Sequence, residues 1–174
     1  MLRVENVQAP VDFTPELISK FDEIVNRYPA GKQKSALLPI LHLVQAEFGW
    51  LSVPAMDIVA QYLEIQAIEV YEVATFYSMY FLSPRGKFVL EVCRTGPCCI
   101  VGAEKIMDHI EQTLGVKEGE VTPDGLFSWR GVECLAACGS APVLQIGPEY
   151  TFYENLTNES VDKLIADLKA KGNN

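Results

Sequence analysis

The sequence predicts an α+β chain in two parts, a helical bundle over residues 1–84 and an α/β domain over residues 85–174. Three observations predict it. Apolar residues recur at helical spacing up to about residue 80. Ser83-Pro84-Arg85-Gly86 then interrupts that pattern, and KFVLEVC opens a strand-like one. Beyond it the order is strand, helix, strand, then strand, strand, helix. With 174 residues and 49% apolar content, the chain has enough material for a packed core.

In the first part, the spacing predicts a helix over 14–28, with Thr14 as N-cap, Pro15 at the first helical position and Leu17, Phe21, Ile24 and Tyr28 on one face. Gly31 closes that unit. A second helix over about 35–48 is apolar nearly all round (Leu37, Leu38, Ile40, Leu41, Leu43, Val44), which predicts burial among other helices; Pro39 must lie near its first turn, and Gly49 stops it. A third helix follows Ser52 to about Glu64, and a fourth covers about Ala67 to Phe76.

In the second part, residues 87–93 read as a strand that delivers Cys93 at its C-terminal end, and a helix follows from about Gly102 to Leu114. Thr122-Pro-Asp-Gly125 reads as a turn. Strands are expected over 126–132 and 143–146, with 150–153 as a hairpin partner across Gly147-Pro148. The last helix, capped by Thr157, should bury Val161, Leu164, Ile165 and Leu168. This order is that of a thioredoxin-like domain, although periodicity alone leaves other α/β sandwiches open.

The formal charge of -9 comes from 14 basic and 23 acidic residues with no Lys/Arg cluster, which argues against nucleic acid. No uncharged run approaches the roughly 20 residues of a membrane helix, and MLRVENVQAP has no leader pattern, so a soluble, unexported chain without direct membrane insertion is expected. Asn155-Leu-Thr157 is then a sequon without meaning.

Chemistry concentrates in the cysteines. Five lie in the second part, an odd number that suits ligands in a reducing compartment better than a disulfide framework. Cys93 and Cys98 (CRTGPC) and Cys134 and Cys138 (CLAAC) form two close pairs, and four thiolates are what a [2Fe-2S] cluster needs, two per iron. Cys98 is read as just before a helix N-terminus, and Arg94 as a charge that would stabilise an anionic cluster. Pro97, Ile100, Leu135, Ala136, Ala137 and Pro142 should limit water access. Cys99 adjoins Cys98 and is read as a small core residue, not a ligand. Metal-free buried thiols and structural zinc are the rivals. Zinc more often uses C-x2-C spacing than the C-x4-C and C-x3-C found here, and a thiol redox enzyme would want C-x-x-C.

CRTGPC and CLAAC with GSAP following, behind a region containing ALLPILHLVQAEFGWLS and EVYEVATFYSMY, resemble the thioredoxin-like [2Fe-2S] subunit of respiratory NADH:quinone oxidoreductase, complex I. The resemblance spans nearly the whole chain. It implies a thioredoxin-like [2Fe-2S] ferredoxin domain whose four metal ligands are Cys93, Cys98, Cys134 and Cys138. Ala136 departs from the commoner CLGAC, and Cys99 stands where another residue is expected. The resemblance also implies an electron-carrying subunit, without turnover alone, beside a partner flavoprotein that binds FMN and NADH, in a complex peripheral to the cytoplasmic side of a membrane, or the matrix side if mitochondrial. Related subunits occur in NAD-linked hydrogenases and formate dehydrogenases.

Other residues agree with that division of labour. No G-x-G-x-x-G loop follows a strand, so nucleotide and flavin have no evident site here, and no catalytic residue is assigned. Glu69 and Glu72 make no acid/base dyad, and no Ser/His/Asp signature occurs. His42 is expected in the core or an interface, and His109 exposed. Trp50, Phe76, Tyr77, Tyr80 and Phe81 read first as core and second as a partner surface. The remaining readings are a zinc-stapled non-redox adaptor and a free ferredoxin; the helical extension disfavours the latter.

Overall fold

The computed structural model describes residues 11–172, so the MLRVENVQAP segment lies outside the described residues. The chain divides into two compact units, Met1–Pro84 and Arg85–Asn174.

The first unit is helical. Helix α1 spans Pro15–Val25, and the Thr14 hydroxyl accepts from the Leu17 N–H at 3.2 Å, satisfying one of the N–H groups a helix start leaves unpaired. It stops three residues before the expected Tyr28, because Pro29 disfavours helical conformation in the residue before it. A 3₁₀ turn over Gln33–Ala36 leads into α2, Leu37–Phe48. Pro39 sits in the first turn of α2, where its missing N–H breaks no helical bond. Gly49, at φ 81°, closes α2 in the left-handed conformation glycine adopts without strain.

Helix α3, Val53–Tyr62, starts on Ser52, whose Oγ accepts from Ala55 N–H at 3.3 Å. Helix α4, Ala67–Phe76, starts with a capping box between Gln66 and Glu69. Phe21, Leu37, Ile40, Leu41, Val44, Leu51 and Leu63 form the centre of the core, each at 1% exposure or less. The segment after α4 is pinned to α2 by Gln45: its Nε2 donates to the Met79 carbonyl at 2.9 Å, and its Oε1 accepts from the Phe81 N–H at 2.6 Å. That pairing is what makes a buried amide tolerable.

The second unit is a mixed sheet with helices against one face. Strands β1 (Phe88–Cys93), β2 (Phe127–Val132), β3 (Leu144–Gly147) and β4 (Thr151–Tyr153) lie in the order β2-β1-β3-β4. β1 is parallel to β2 and antiparallel to β3, and β4 is the antiparallel hairpin partner of β3. A short helix α5, Gly96–Ile100, follows β1 and was not legible in the sequence pattern; α6, Ala103–Leu114, supplies the crossover that a parallel pair requires. Gly102, at φ 102°, turns the chain between the two helices.

Helix α7, Asn158–Gly172, closes the unit, with Ser160 N–H donating to the capping Thr157 Oγ1 at 3.2 Å. Leu90, Val92, Trp129, Leu144 and Ile146 from the sheet join Ile106 and Ile110 from α6 and Val161, Leu164, Ile165 and Leu168 from α7 in one core. Their spacing is every second residue on strands and every third or fourth on helices, and the four α7 residues are those expected from the sequence. The opposite sheet face carries Val89, Glu91 and Cys93 of β1.

Candidate metal centre

Cys93 is the last residue of β1, and both neighbours hold it there. Its N–H donates to the Val143 carbonyl at 3.0 Å, and the Arg94 N–H donates to the Val132 carbonyl at 3.0 Å. The chain then turns through Thr95, whose carbonyl accepts from the N–H groups of Cys98 at 2.9 Å and Cys99 at 3.3 Å. Cys98 therefore lies within α5 and not before a helix, and α5 turns it inward to 3% exposure. Cys99 faces outward: it is exposed, and its thiol donates to the Arg94 carbonyl at 3.1 Å. It is not the core residue expected, because one residue of helical rotation carries it to the far side of α5.

The second pair lies in the loop after β2. Ala136 adopts φ 59°, and its N–H donates to Cys134 Sγ at 3.3 Å. Cys138 opens a 3₁₀ turn, Cys138–Ser140. The loop is anchored where Ser140 Oγ donates to Glu154 Oε1 at 2.7 Å and Asn155 N–H donates to the Ser140 carbonyl at 2.7 Å. Leu135, Ala137 and Ala141 pack on a small cluster of Cys93, Cys98, Ala103 and Val143. Arg94 and Glu133, next to one cysteine of each pair, approach to 3.6 Å.

Cys93 and Cys98 share a hydrogen bond, and Cys138 is near enough to Cys98 for its charge to act there. Burial pushes the Cys93 thiol up, but hydrogen bonds from Thr95, the Leu135 backbone and Cys98 hold it below the ordinary thiol value. Thr95 Oγ1 lies 3.4 Å from Cys93 Sγ. Cys98 is pushed up to about 11, first by burial, then by its bond to Cys93 and that neighbour's charge. Metal binding requires both sulfurs as thiolates, so it must displace the proton that this environment holds more tightly on Cys98.

Cys134 and Cys138 are exposed, and Ile100 and Val101 at the end of α5 are 86% and 54% exposed. The expected apolar shield is therefore open on one side, since both loops sit at the end of the sheet and no described element of this unit caps them. Among the described residues, no three His, Cys, Asp or Glu side chains are gathered tightly enough to hold a single metal ion. The donor chemistry still fits an iron-sulfur centre: four thiols on two facing loops, with the Leu135 and Val143 N–H groups directed at the buried sulfurs. Thr95 and these backbone donors were missed in the sequence; the hydroxyl inside CRTGPC was the one available signal.

Other candidates fall away from this centre. His42 is exposed, with its ring 5.1 Å from that of Tyr80, and is not a core residue. His109, expected exposed, is half-buried and ties α6 to α7 through Asp162 at 2.7 Å. Glu69 serves its capping box and an ion pair with Lys34 at 2.5 Å. Tyr80 is core, whereas Phe76 and Tyr77 are exposed.

Comparison with known proteins places these features in context. The family described as thioredoxin-like [2Fe-2S] ferredoxin matches residues 21–169. The E subunit of NADH-quinone oxidoreductase from Rickettsia bellii is 44% identical over 158 residues, covering 90% of this chain and 93% of that protein. An E subunit of NADH-quinone oxidoreductase from Rhizobium meliloti is 42% identical over 144 residues, covering 83% of each. Among solved structures, an NAD+-reducing [NiFe]-hydrogenase in the air-oxidized state aligns with a TM-score of 0.67 at 19% identity, covering 78% of this chain and 23% of that one, a likeness of fold.

Proposed function

This chain belongs to the thioredoxin-like [2Fe-2S] ferredoxin family, among the E subunits of NADH-quinone oxidoreductase, and on that premise we propose that Cys93, Cys98, Cys134 and Cys138 hold its one [2Fe-2S] cluster. The observation that carries the assignment is the meeting of the two loops, with Leu135 and Ala137 packed on the buried Cys93 and Cys98. When bound, the cluster supplies one-electron exchange. The chain's own residues hold the four sulfurs, direct the Leu135 and Val143 N–H groups at two of them, and leave Cys134 and Cys138 at the surface.

The open side suits delivery of electrons to or from a neighbour, because transfer requires the centre to approach its redox partner closely. The neighbour we infer is a flavoprotein carrying FMN and oxidising NADH, which this chain serves without turnover of its own. No helix of the described residues is long and apolar enough to cross a membrane. We place the chain with its complex on the cytoplasmic side, or the matrix side if mitochondrial. A place in an NAD-linked hydrogenase is the second reading; its support is the shared fold, whereas the relatives from NADH-quinone oxidoreductase share 42–44% of their residues.

The test is metal analysis of full-length protein made under anaerobic, iron-replete conditions. Two irons and two sulfides per chain are expected, with an S = 1/2 EPR signal after dithionite reduction. Zinc without iron would overturn the reading in favour of a stapled adaptor, and Cys→Ser changes at the four positions test the ligand set. Co-purification with a flavoprotein tests the partner.

A further inference from the structure

Glu91 lies in the central strand β1 at 2% exposure, two residues before Cys93. Alternate strand residues share a face, so Glu91 and Cys93 face the same way with Cα atoms about 7 Å apart. Its register partners are Arg130 on β2 and Gln145 on β3. Arg130 Nε donates to Glu91 Oε1 at 2.9 Å, and Arg130 Nη2 donates to the same oxygen. Gln145 Nε2 donates to Oε2 at 2.5 Å, so both carboxylate oxygens are occupied. The Arg85 guanidinium lies within electrostatic reach of Glu91 and Arg130.

Strand pairing does not need a carboxylate here; Val89, on the same face of β1 and 1% exposed, shows what an ordinary buried position carries. Buried ion pairs contribute little net stability over apolar residues of similar size, so this pair calls for another role. A neighbouring centre that gains one negative charge on reduction responds to fixed charges nearby, most strongly where water is excluded.

We propose that Glu91 and Arg130, with Gln145 fixing the carboxylate, act with opposite sign on the reduction potential of the cluster, each offsetting the shift the other alone would cause; this rests on the reading of Cys93 as a ligand. Glu91 opposes reduction, Arg130 favours it, and their pairing holds the two effects in balance. Neither residue is among the four proposed ligands. Both act through the field, as positioning residues at fixed distance along adjacent strands.

The experiment is an EPR-monitored redox titration of full-length protein, with iron and sulfide counted in every sample. Glu91→Gln should raise the reduced-to-oxidised ratio at a given poise by up to about tenfold, which is about 59 mV for a one-electron couple. Arg130→Gln should lower it comparably, the double variant should return towards the parent, and Arg130→Lys should stay near it. Shifts of one sign, or none, in samples with two irons and two sulfides overturn the inference. Should Arg130→Gln fail to fold, Glu91→Gln against Arg130→Lys decides: equal shifts overturn it, and a shift in the first alone supports it. A parent chain that binds no iron and sulfide instead overturns the ligand assignment.

Discussion

Cys98 and Cys99 are neighbours in the chain and opposites in orientation: Cys98 is buried against Cys93, while the Cys99 thiol donates outward to the Arg94 carbonyl at 3.1 Å. Cys99→Ser is therefore expected to leave iron and sulfide content unchanged, and Cys98→Ser to lower it. Metal analysis of the two variants side by side checks this; equal losses would mean that either thiol can serve.

Ala136 holds φ 59° between Cys134 and Cys138, a conformation that costs a residue with a Cβ about 1–2 kcal/mol. Ala136→Gly removes that strain but adds freedom to the unfolded chain, worth roughly 0.5–1 kcal/mol the other way. A net gain of up to about 1 kcal/mol is expected, measured by urea unfolding of the metal-free protein. A clear loss would place the strain elsewhere.

Gly86 enters β1 against the backbone of β2. A Cβ there would lie 2.3 Å from the Phe127 carbonyl carbon and 2.6 Å from the Ser128 nitrogen, neither of which can rotate away. Gly86→Ala should cost about 3 kcal/mol or more, beyond ordinary overpacking, with loss of near-ultraviolet dichroism from Trp129. Full retention of stability would show that the β1–β2 pair can slide.

Three tyrosines in the helical unit are raised to about 12. Burial and then Asp22 act on Tyr62, the hydrogen bond to Asp57 and then burial act on Tyr71, and burial and then Tyr77 act on Tyr80. The unfolded chain loses these protons near pH 10, before the folded one does. Their stabilisation is thus complete below pH 10 and disappears as pH rises to about 12. Helical dichroism should fall together with the rise of tyrosinate absorbance in that window. Tyr80→Phe, which forgoes a hydrogen bond to the Leu38 carbonyl at 3.0 Å, should lessen the slope.

Local chemistry made much of this chain legible from its residues in order. Thr14, Ser52 and Thr157 cap helices through contacts spanning three residues, Gly49 ends a helix by adopting positive φ, and the short apolar run of KFVLEVC after a turn signal assigns a strand. These features are short-range, so the linear pattern suffices for a helical part followed by an α/β part; the thioredoxin-like form of the second came from the resemblance carried by the cysteine motifs. The cysteine spacing likewise pointed to two facing pairs of thiols. Tertiary structure alone decided which way each group points and what meets it. It turned Cys99 outward on an unforeseen α5, left Cys134 and Cys138 exposed, and joined His109 to Asp162 and Glu91 to Arg130 and Gln145. Those outcomes depend on register between strands and rotation of helices about their axes, quantities set by packing among residues distant in sequence.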